Sequence, residues 1–392
     1  MCAYLVDSKM AAILASGARD GGSRGSAYSD WTKIGEGTFG VVYRAKLTGE
    51  PPPIRSLAEA PSTSTSTSSS SASASATFPS SGAYASGLRQ LLAMPPREPL
   101  IKNVSSVALK RIRGTDANRG VDFTTLREIK MLSEMDHANV IKLWECFEMN
   151  GSVVLALELC VTDLEEVVRN VQIDLTPAHI KSFMAQLLAA TQYMHERWVL
   201  HRDLKPNNLL IDARGVLKVT DFGLARTFGD LEARMTPTSV TRWYRPPELL
   251  YGSRNYGGAV DVWSCGCIFA ELVLRAPYLP GTNEIDQLER IFTMRGSATK
   301  DSWPNVSLLP LYMDFPDLPG TPFQKMANPR AQATSDEAVA LMDSMLTFDP
   351  LRRPSAKTCL TTAYFATAPP LATLEEIAKL LPKAKDGAPG MG

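Results

Sequence analysis

His201-Arg202-Asp203-Leu204-Lys205-Pro206-Asn207-Asn208, followed after a short interval by Asp221-Phe222-Gly223, is the stretch on which the reading of this chain turns. It holds a carboxylate able to receive a hydroxyl proton, Asp203, and a cation two residues on, Lys205. An amide, Asn208, and a second carboxylate, Asp221, follow, and both offer oxygens of the kind that bind Mg²⁺. Phosphoryl transfer asks a protein for positioning and charge neutralisation more than for covalent chemistry, and these residues supply both in a fixed order. Asp-Phe-Gly alone carries little weight; the long gap-free run carries much more.

Upstream lies Gly35-Glu36-Gly37-Thr38-Phe39-Gly40-Val41-Val42, preceded by Ile34. Gly-x-Gly-x-x-Gly is weak alone, because dinucleotide-binding folds use it too. Here the glycines sit between two β-type runs, Trp31 to Ile34 and Val41 to Ala45, and no helix opens after them. That context predicts a hairpin lid whose backbone N–H groups approach phosphate oxygens. An ordinary glycine-rich hairpin is the alternative for the motif by itself. Val107-Ala108-Leu109-Lys110 then reads as a strand carrying a lysine toward the α- and β-phosphates, and Glu128, in Leu126-Arg127-Glu128-Ile129-Lys130, as its partner on the next helix. A surface lysine on a strand edge does not account for that helix.

The 392 residues carry 41 basic and 41 acidic side chains, so nothing global argues for nucleic-acid or membrane binding. No apolar run reaches the roughly 18 residues of a membrane span. Met1 to Asp30 lacks the pattern of a signal peptide. The six cysteines are scattered with no Cys-x-x-Cys pair, which predicts reduced thiols inside a cell. Cys265 and Cys267 read as packing residues. His137, His179, His195 and His201 have no metal-like spacing.

The pattern predicts an α+β, bilobal chain. Residues 1–28 form a disordered extension, 29–366 the catalytic domain and 367–392 a tail. The β-rich lobe, 29–160, is interrupted at about 48–104 by a Ser/Thr-rich insertion that cannot bury enough apolar surface to offset ordering entropy. Loop-closure entropy grows only logarithmically, so the lobe can carry it. Val153 to Leu157 reads as a buried strand ending at Leu157, a residue gating the pocket, and Glu158-Leu159-Cys160 as the connector between lobes. The helical lobe spans 161–366. In it, Thr176-Pro177 starts a helix whose Ile180, Phe183, Met184, Leu187 and Leu188 form a core stripe. Leu217 to Thr220 delivers Asp221, Asp261 to Leu274 is a buried central helix, and the ordered lobe ends near Phe365. In the tail, Thr373-x-x-Glu376 is a capping box, with Leu374, Ile377 and Leu381 on one face. Docking on its own lobe is the favoured reading of that helix; partner binding is the alternative.

On these motifs the chain resembles eukaryotic protein kinases, and among them the cyclin-dependent kinases, over about residues 28–366 apart from the insertion. Thr241-Arg242-Trp243-Tyr244-Arg245-Pro246-Pro247-Glu248 looks like that family's activation-segment ending, with Pro246 where Ala is usual. His201 to Leu210, Leu175 to Lys181, Leu274 to Pro277 and Leu288 to Phe292 are similar to the branch that activates other members and belongs to transcription factor H. The last glycine of the loop, Gly40, stands where that branch is expected to carry Ala, and Phe39 replaces the inhibitory tyrosine of cell-cycle members.

The resemblance implies a small β-rich lobe with one regulatory helix and a larger, mainly α-helical lobe. It implies a Ser/Thr kinase, proline-directed, using ATP and Mg²⁺. Asp203 would orient the acceptor hydroxyl and take its proton, Lys205 would neutralise the γ-phosphate, and Asn208 and Asp221 would hold Mg²⁺. Ile34 to Val42, Ala108, Lys110, Glu128, Leu157, Glu158, Cys160, Asp163 and Leu210 would line the nucleotide site. Arg127, Arg202 and Arg226 would meet beneath a phosphothreonine at Thr236. Arg353 would be the buried partner of Glu248, and Asp261 a structural residue. Implied partners are a cyclin and subunits of transcription factor H. Implied substrates are the RNA polymerase II C-terminal repeat and other cyclin-dependent kinases. The implied location is the nucleus, with the cytoplasm as a second setting, and no direct nucleic-acid or membrane contact. A pseudokinase scaffold would have lost a catalytic residue, and none is replaced. A mitogen-activated kinase would carry Thr-x-Tyr where Met235-Thr236-Pro237-Thr238-Ser239 stands.

Overall fold

Period-two alternation in the first part of the chain builds one antiparallel sheet. The computed structural model describes residues 28–37, 40–48, 106–112, 123–150, 152–227 and 242–382. The N-terminal extension before residue 28, nearly all of the insertion, Thr38, Phe39 and Thr236 lie outside the described residues. The sheet is formed by β1 (Tyr28–Gly37), β2 (Gly40–Leu47), β3 (Ser106–Ile112), β4 (Leu143–Met149) and β5 (Ser152–Leu157), with α1 (Phe123–Glu134) between β3 and β4. Its order is β1-β2-β3-β5-β4. Successive side chains of a strand point to opposite faces. Val107 and Leu109 therefore join Tyr28, Ala45, Phe147, Val154 and Ala156 in a small outer core. Ala108, Val153, Leu155 and Leu157 face the other way, into the main core. Because β5 is covered on both faces from Val153 onward, its sequence there is an unbroken apolar run to Leu157.

The larger lobe begins with β6 (Thr162–Asp163), α2 (Leu164–Arg169) and α3 (Pro177–Glu196), then β7 (Val199–Leu200), β8 (Leu209–Ile211), β9 (Leu217–Val219) and β10 (Arg226–Thr227). It continues with α4 (Pro247–Leu250), α5 (Ala259–Leu274), α6 (Glu284–Arg295), α7 (Pro329–Gln332), α8 (Asp336–Met345), α9 (Ala356–Leu360), α10 (Ala363–Ala366) and α11 (Leu374–Leu380). Thr176 caps α3 from extended backbone and shares a reciprocal capping box with His179, while Pro177 occupies the first turn. Ile180, Phe183, Met184, Leu187 and Leu188 are all buried. Helix α5 is buried along nearly its whole length, Cys265 and Cys267 included, and burial pushes both thiols well above their ordinary range. The five described cysteines are free. No described helix is long and apolar enough to cross a membrane.

Packing continues past Phe365. Thr373 and Glu376 form the reciprocal capping box of α11, Ile377 is fully buried and Leu381 nearly so. Ser182 Oγ donates to Ala372 O at 2.7 Å, and Lys181 Nζ donates to the carbonyls of Thr367 and Pro369, both at 2.8 Å. The segment read as a tail is thus bonded to α3 through residues 367–372 and packed into the large lobe as far as Leu381.

Candidate active site

The site lies between the lobes, and register places its upper wall. On β3, Lys110 pairs with Val42 of β2 and Leu155 of β5, while Ala108 pairs with Leu157. Ala108 and Lys110 are two residues apart and share a face. Helix α1 brings Glu128 to Lys110, with Nζ to Oε1 at 2.6 Å. Burial pushes the Glu128 carboxyl up, and the Lys110 ammonium offsets part of that rise. The glycine hairpin closes at Gly37 and Gly40, which pair with each other. Ile34 stands half exposed on it, Lys33 and Glu36 form an ion pair on its surface, and a Cβ on Gly35 would meet nothing nearer than Val42 Cβ at 4.0 Å. Gly40 has a different reason to be glycine. A Cβ there would lie 2.2 Å from Arg111 O, so the close approach of β3 to β2 requires it.

The lower wall is built by β6, β8 and β9. Asp163 pairs with Leu210, and Leu210 with Lys218. The Asp163 carboxylate accepts from Glu166 N at 2.8 Å as the N-cap of α2, and burial raises its pKa. In the connector, Glu158 N donates to Lys142 O at 3.0 Å. Leu157 is buried and Cys160 half-buried.

Asp203 is fixed from two sides. Its Oδ2 accepts from Lys205 Nζ at 2.8 Å and from Asn208 Nδ2 at 3.0 Å. Asn208 Nδ2 also donates to Asp203 O at 2.8 Å, which turns the amide oxygen away from Asp203. Two bonds tie this loop to the strand before Asp221: His201 Nε2 lies 2.9 Å from Thr220 O, and Thr220 N donates to Asn208 O at 2.9 Å. The His201 ring meets the Phe222 ring edge-on at 5.0 Å between centroids. Asp203, Lys205, Asn208 and Asp221 are therefore held on one bonded framework.

Two non-glycine residues of this framework are left-handed: Arg202 at φ 68° and Asp221 at φ 65°. Such backbone costs on the order of 1–3 kcal/mol and persists only where surroundings enforce it. At Arg202 the enforcing group is Asp261 on α5. Its Oδ1 accepts from Arg202 N at 2.8 Å, and its Oδ2 from His201 N at 3.0 Å. His195 Nε2 lies 2.9 Å from the same Oδ2. The bonding roles of His195 and Thr220 are not legible in the sequence; an isolated His on a helix and a Thr before Asp-Phe-Gly carry no local signal of them.

The regulatory positions converge on the turn after Asp221. Arg127 Nη1 approaches Gly223 O at 3.4 Å, and Arg202 Nε donates to Leu224 O at 2.8 Å. Arg226 pairs across β10 and β7 with Leu200, two residues before Arg202. Thr236 lies outside the described residues.

Two lobes joined at a connector, with a lysine–glutamate pair above and a bracketed aspartate below, define a phosphotransferase class. Comparisons with known proteins agree with it. Residues 100–365 match the family described as protein kinase domain. The chain is 46% identical over 266 residues to cyclin-dependent kinase 7 of Xenopus laevis, covering 67% of this chain and 74% of that one. It is 48% identical over 265 residues to cyclin-dependent kinase 7 of Dictyostelium discoideum, covering 67% and 72%. A chain in the structure of the CAK complex from Chaetomium thermophilum, bound to ATP-gamma-S, superposes with a TM-score of 0.70 at 34% identity, covering 91% of this chain and 97% of that one. The chain belongs to the protein kinase family, as a serine/threonine kinase of the cyclin-dependent kinase type.

Proposed function

We propose that this chain transfers the γ-phosphate of ATP to Ser or Thr followed by Pro, in complex with a cyclin. Its substrates in this reading are the RNA polymerase II C-terminal repeat and the activation segments of other cyclin-dependent kinases. The observation that carries the reaction is Asp203 held between Lys205 and Asn208. Asp203 Oδ2 orients the acceptor hydroxyl and receives its proton. Lys205, released from Asp203 as the phosphate arrives, neutralises charge on the transferring group. Lys110, fixed by Glu128, binds the α- and β-phosphates. The backbone of Glu158 and Cys160 meets the adenine between Ala108 and Leu210, and Asp163 meets the ribose. Ile34 to Val42 cover the phosphates.

The donor set suits Mg²⁺. Asp221 Oδ1 is buried with no hydrogen-bond partner among the described residues, a costly state for a carboxylate oxygen that a cation relieves. No described cluster of three His, Cys, Asp or Glu side chains is placed to hold a metal. Mg²⁺ commonly takes one or two protein oxygens and completes its shell with phosphate and water. Asp221 and Asn208 would hold it, and it would neutralise phosphate charge.

The cyclin and further complex partners are supported by the names of the relatives and by the CAK complex neighbour; the nuclear setting is proposed on the sequence resemblance alone. We include subunits of transcription factor H among the partners on the sequence resemblance of His201 to Leu210 and Leu175 to Lys181. The test is phosphate transfer from ATP to peptides bearing Ser-Pro or Ser-Ala repeats, with and without added cyclin. Transfer confined to Ser-Pro and raised by a cyclin is the expected result. Equal transfer to both peptides, or full activity without a cyclin, would overturn it.

A further inference from the structure

Lys218, on β9, has 1% of its side chain exposed, yet it belongs to none of the groups assigned above. A buried ammonium is tolerated only when paired. Its partner is Glu158 Oε1, at 2.9 Å. Glu158 is the first residue of the connector, and its two ends are tied to different lobes. Its N–H donates to Lys142 O, just before β4 of the small lobe. Its carboxylate is bound from the large lobe. Arg214, in the turn between β8 and β9, also approaches Glu158 Oε1, at 3.7 Å. Arg214 is itself held by Asp212 Oδ2, at 2.6 and 3.0 Å.

That turn rests on α11. Gly215 has φ 86°, and a Cβ there would lie 2.5 Å from Leu374 O and 3.0 Å from Ile377 Cβ. Backbone thus meets backbone with no room for a side chain. The segment that leads into α11 is in turn fastened to α3, where Lys181 donates to Thr367 O and Pro369 O and Ser182 to Ala372 O. Contacts thus run from α3 to the segment before α11, through α11 to the turn at Gly215, and from Arg214 of that turn and Lys218 of β9 to the connector.

We infer that Lys218, acting through Glu158 and backed by the docked helix α11, is a positioning residue for the nucleotide. It holds the connector backbone in the place where adenine meets it. This rests on the kinase reading above. A connector fixed before binding spares the ligand the entropy of ordering it. The strut therefore acts on nucleotide affinity and leaves the acceptor side alone.

The test uses the full chain with its cyclin and ATP as the probe, with direct ATP binding measured beside steady-state kinetics. Lys218→Met should raise the Kd and KM for ATP about tenfold, equivalent to roughly 1.4 kcal/mol. The acceptor-peptide KM and kcat at saturating ATP should stay within about twofold. Glu158→Gln, which keeps an acceptor for the ammonium, should shift ATP affinity less, though still measurably. Ile377→Ala should move ATP affinity in the same direction, and joined to Lys218→Met should add little. An unchanged ATP Kd in folded Lys218→Met overturns the inference, as do ATP and peptide KM rising together. If Lys218→Met does not accumulate as folded protein, an unchanged ATP Kd in Glu158→Gln overturns it. Failure of the unmodified chain to bind ATP is a separate result, and it sinks the kinase reading itself.

Discussion

Arg353 donates to both carboxylate oxygens of Glu248, Nη1 to Oε1 at 2.8 Å and Nη2 to Oε2 at 3.2 Å, with 0% and 2% of the two side chains exposed. Glu248 lies in the first turn of α4, right after Pro246, which caps the helix, and Pro247, which opens it. Arg353 also donates to Ala259 O, Thr347 O and Phe348 O. One guanidinium thus joins the end of the activation segment, the start of α5 and the loop after α8. It is the kind of bidentate, fully hydrogen-bonded pair that survives burial.

Removing one member leaves the other charge buried alone. Arg353→Met should cost about 3–5 kcal/mol of stability, and Glu248→Gln a similar or somewhat smaller amount. Joining Arg353→Met to Glu248→Met should recover part of the loss, because no unpaired charge remains. Denaturant melts of the three variants measure this. A double variant as unstable as the sum of the singles would show that the pair is not the source of the cost.

Asp203→Asn keeps the shape and hydrogen-bonding size of the side chain but removes the proton acceptor. Turnover should fall by roughly 10² to 10⁴-fold, the usual worth of positioned proton transfer. Nucleotide affinity should change little, since in the proposed mechanism Asp203 acts on the acceptor hydroxyl. Retention of more than about a tenth of the turnover would contradict the assignment.

Tyr244, near the end of the activation segment, donates its hydroxyl to Glu271 Oε2 on α5 at 2.6 Å. Burial pushes the Glu271 carboxyl up to about 6 from 4.5; Tyr244 opposes that rise and the Glu165 charge adds to it. Because the folded value is the higher one, the native state binds the extra proton. Stability from this group is then present below pH 4.5 and lost as pH rises through about 6. The loss is about 2 kcal/mol at most. Glu271→Gln keeps an acceptor for Tyr244 and cannot ionise. Relative to the unmodified chain, it should therefore gain stability between pH 5 and pH 7. Denaturant melts at the two pH values decide, and a constant difference would refute the shift.

Local signals were legible in the sequence and distant ones were not. The faces of β3 and β5 follow from period two, and the start of α3 from Thr176-Pro177 and the stripe behind it. Glu128 is legible as the partner of Lys110 because the Val107-Ala108-Leu109-Lys110 strand calls for an acidic residue on the helix that follows. The Asp261 contacts with His195, His201 and Arg202 join residues about sixty apart, and no local pattern encodes them. Gly40 was read as a phosphate-loop glycine, whereas its close approach to Arg111 O is visible only once β2 and β3 pair. The apolar face of α11 announced that something covers it; Gly215, the surface it covers, has no apolar side chain to signal the match.

The turn after Asp221 carries the last prediction. Arg127 and Arg202 donate to the neighbouring carbonyls of Gly223 and Leu224, so two guanidinium groups from different lobes already share this turn, and Arg226 follows it. Thr236 is followed by Pro237, a site of the kind a proline-directed kinase modifies. A phosphate there brings nearly two negative charges and several strong acceptors, and three arginines can clamp it. The clamp would order the substrate-receiving segment, the same equilibrium that a cyclin biases. Thr236→Ala should lower activity, most when the cyclin is limiting, and Arg226→Ala should lower it to a similar extent. The double variant should be little worse than either single one, because each removes the same contact. Turnover of the four proteins at two cyclin concentrations tests this. If the two losses simply add in free energy, Thr236 and Arg226 are not partners, and the clamp is wrong.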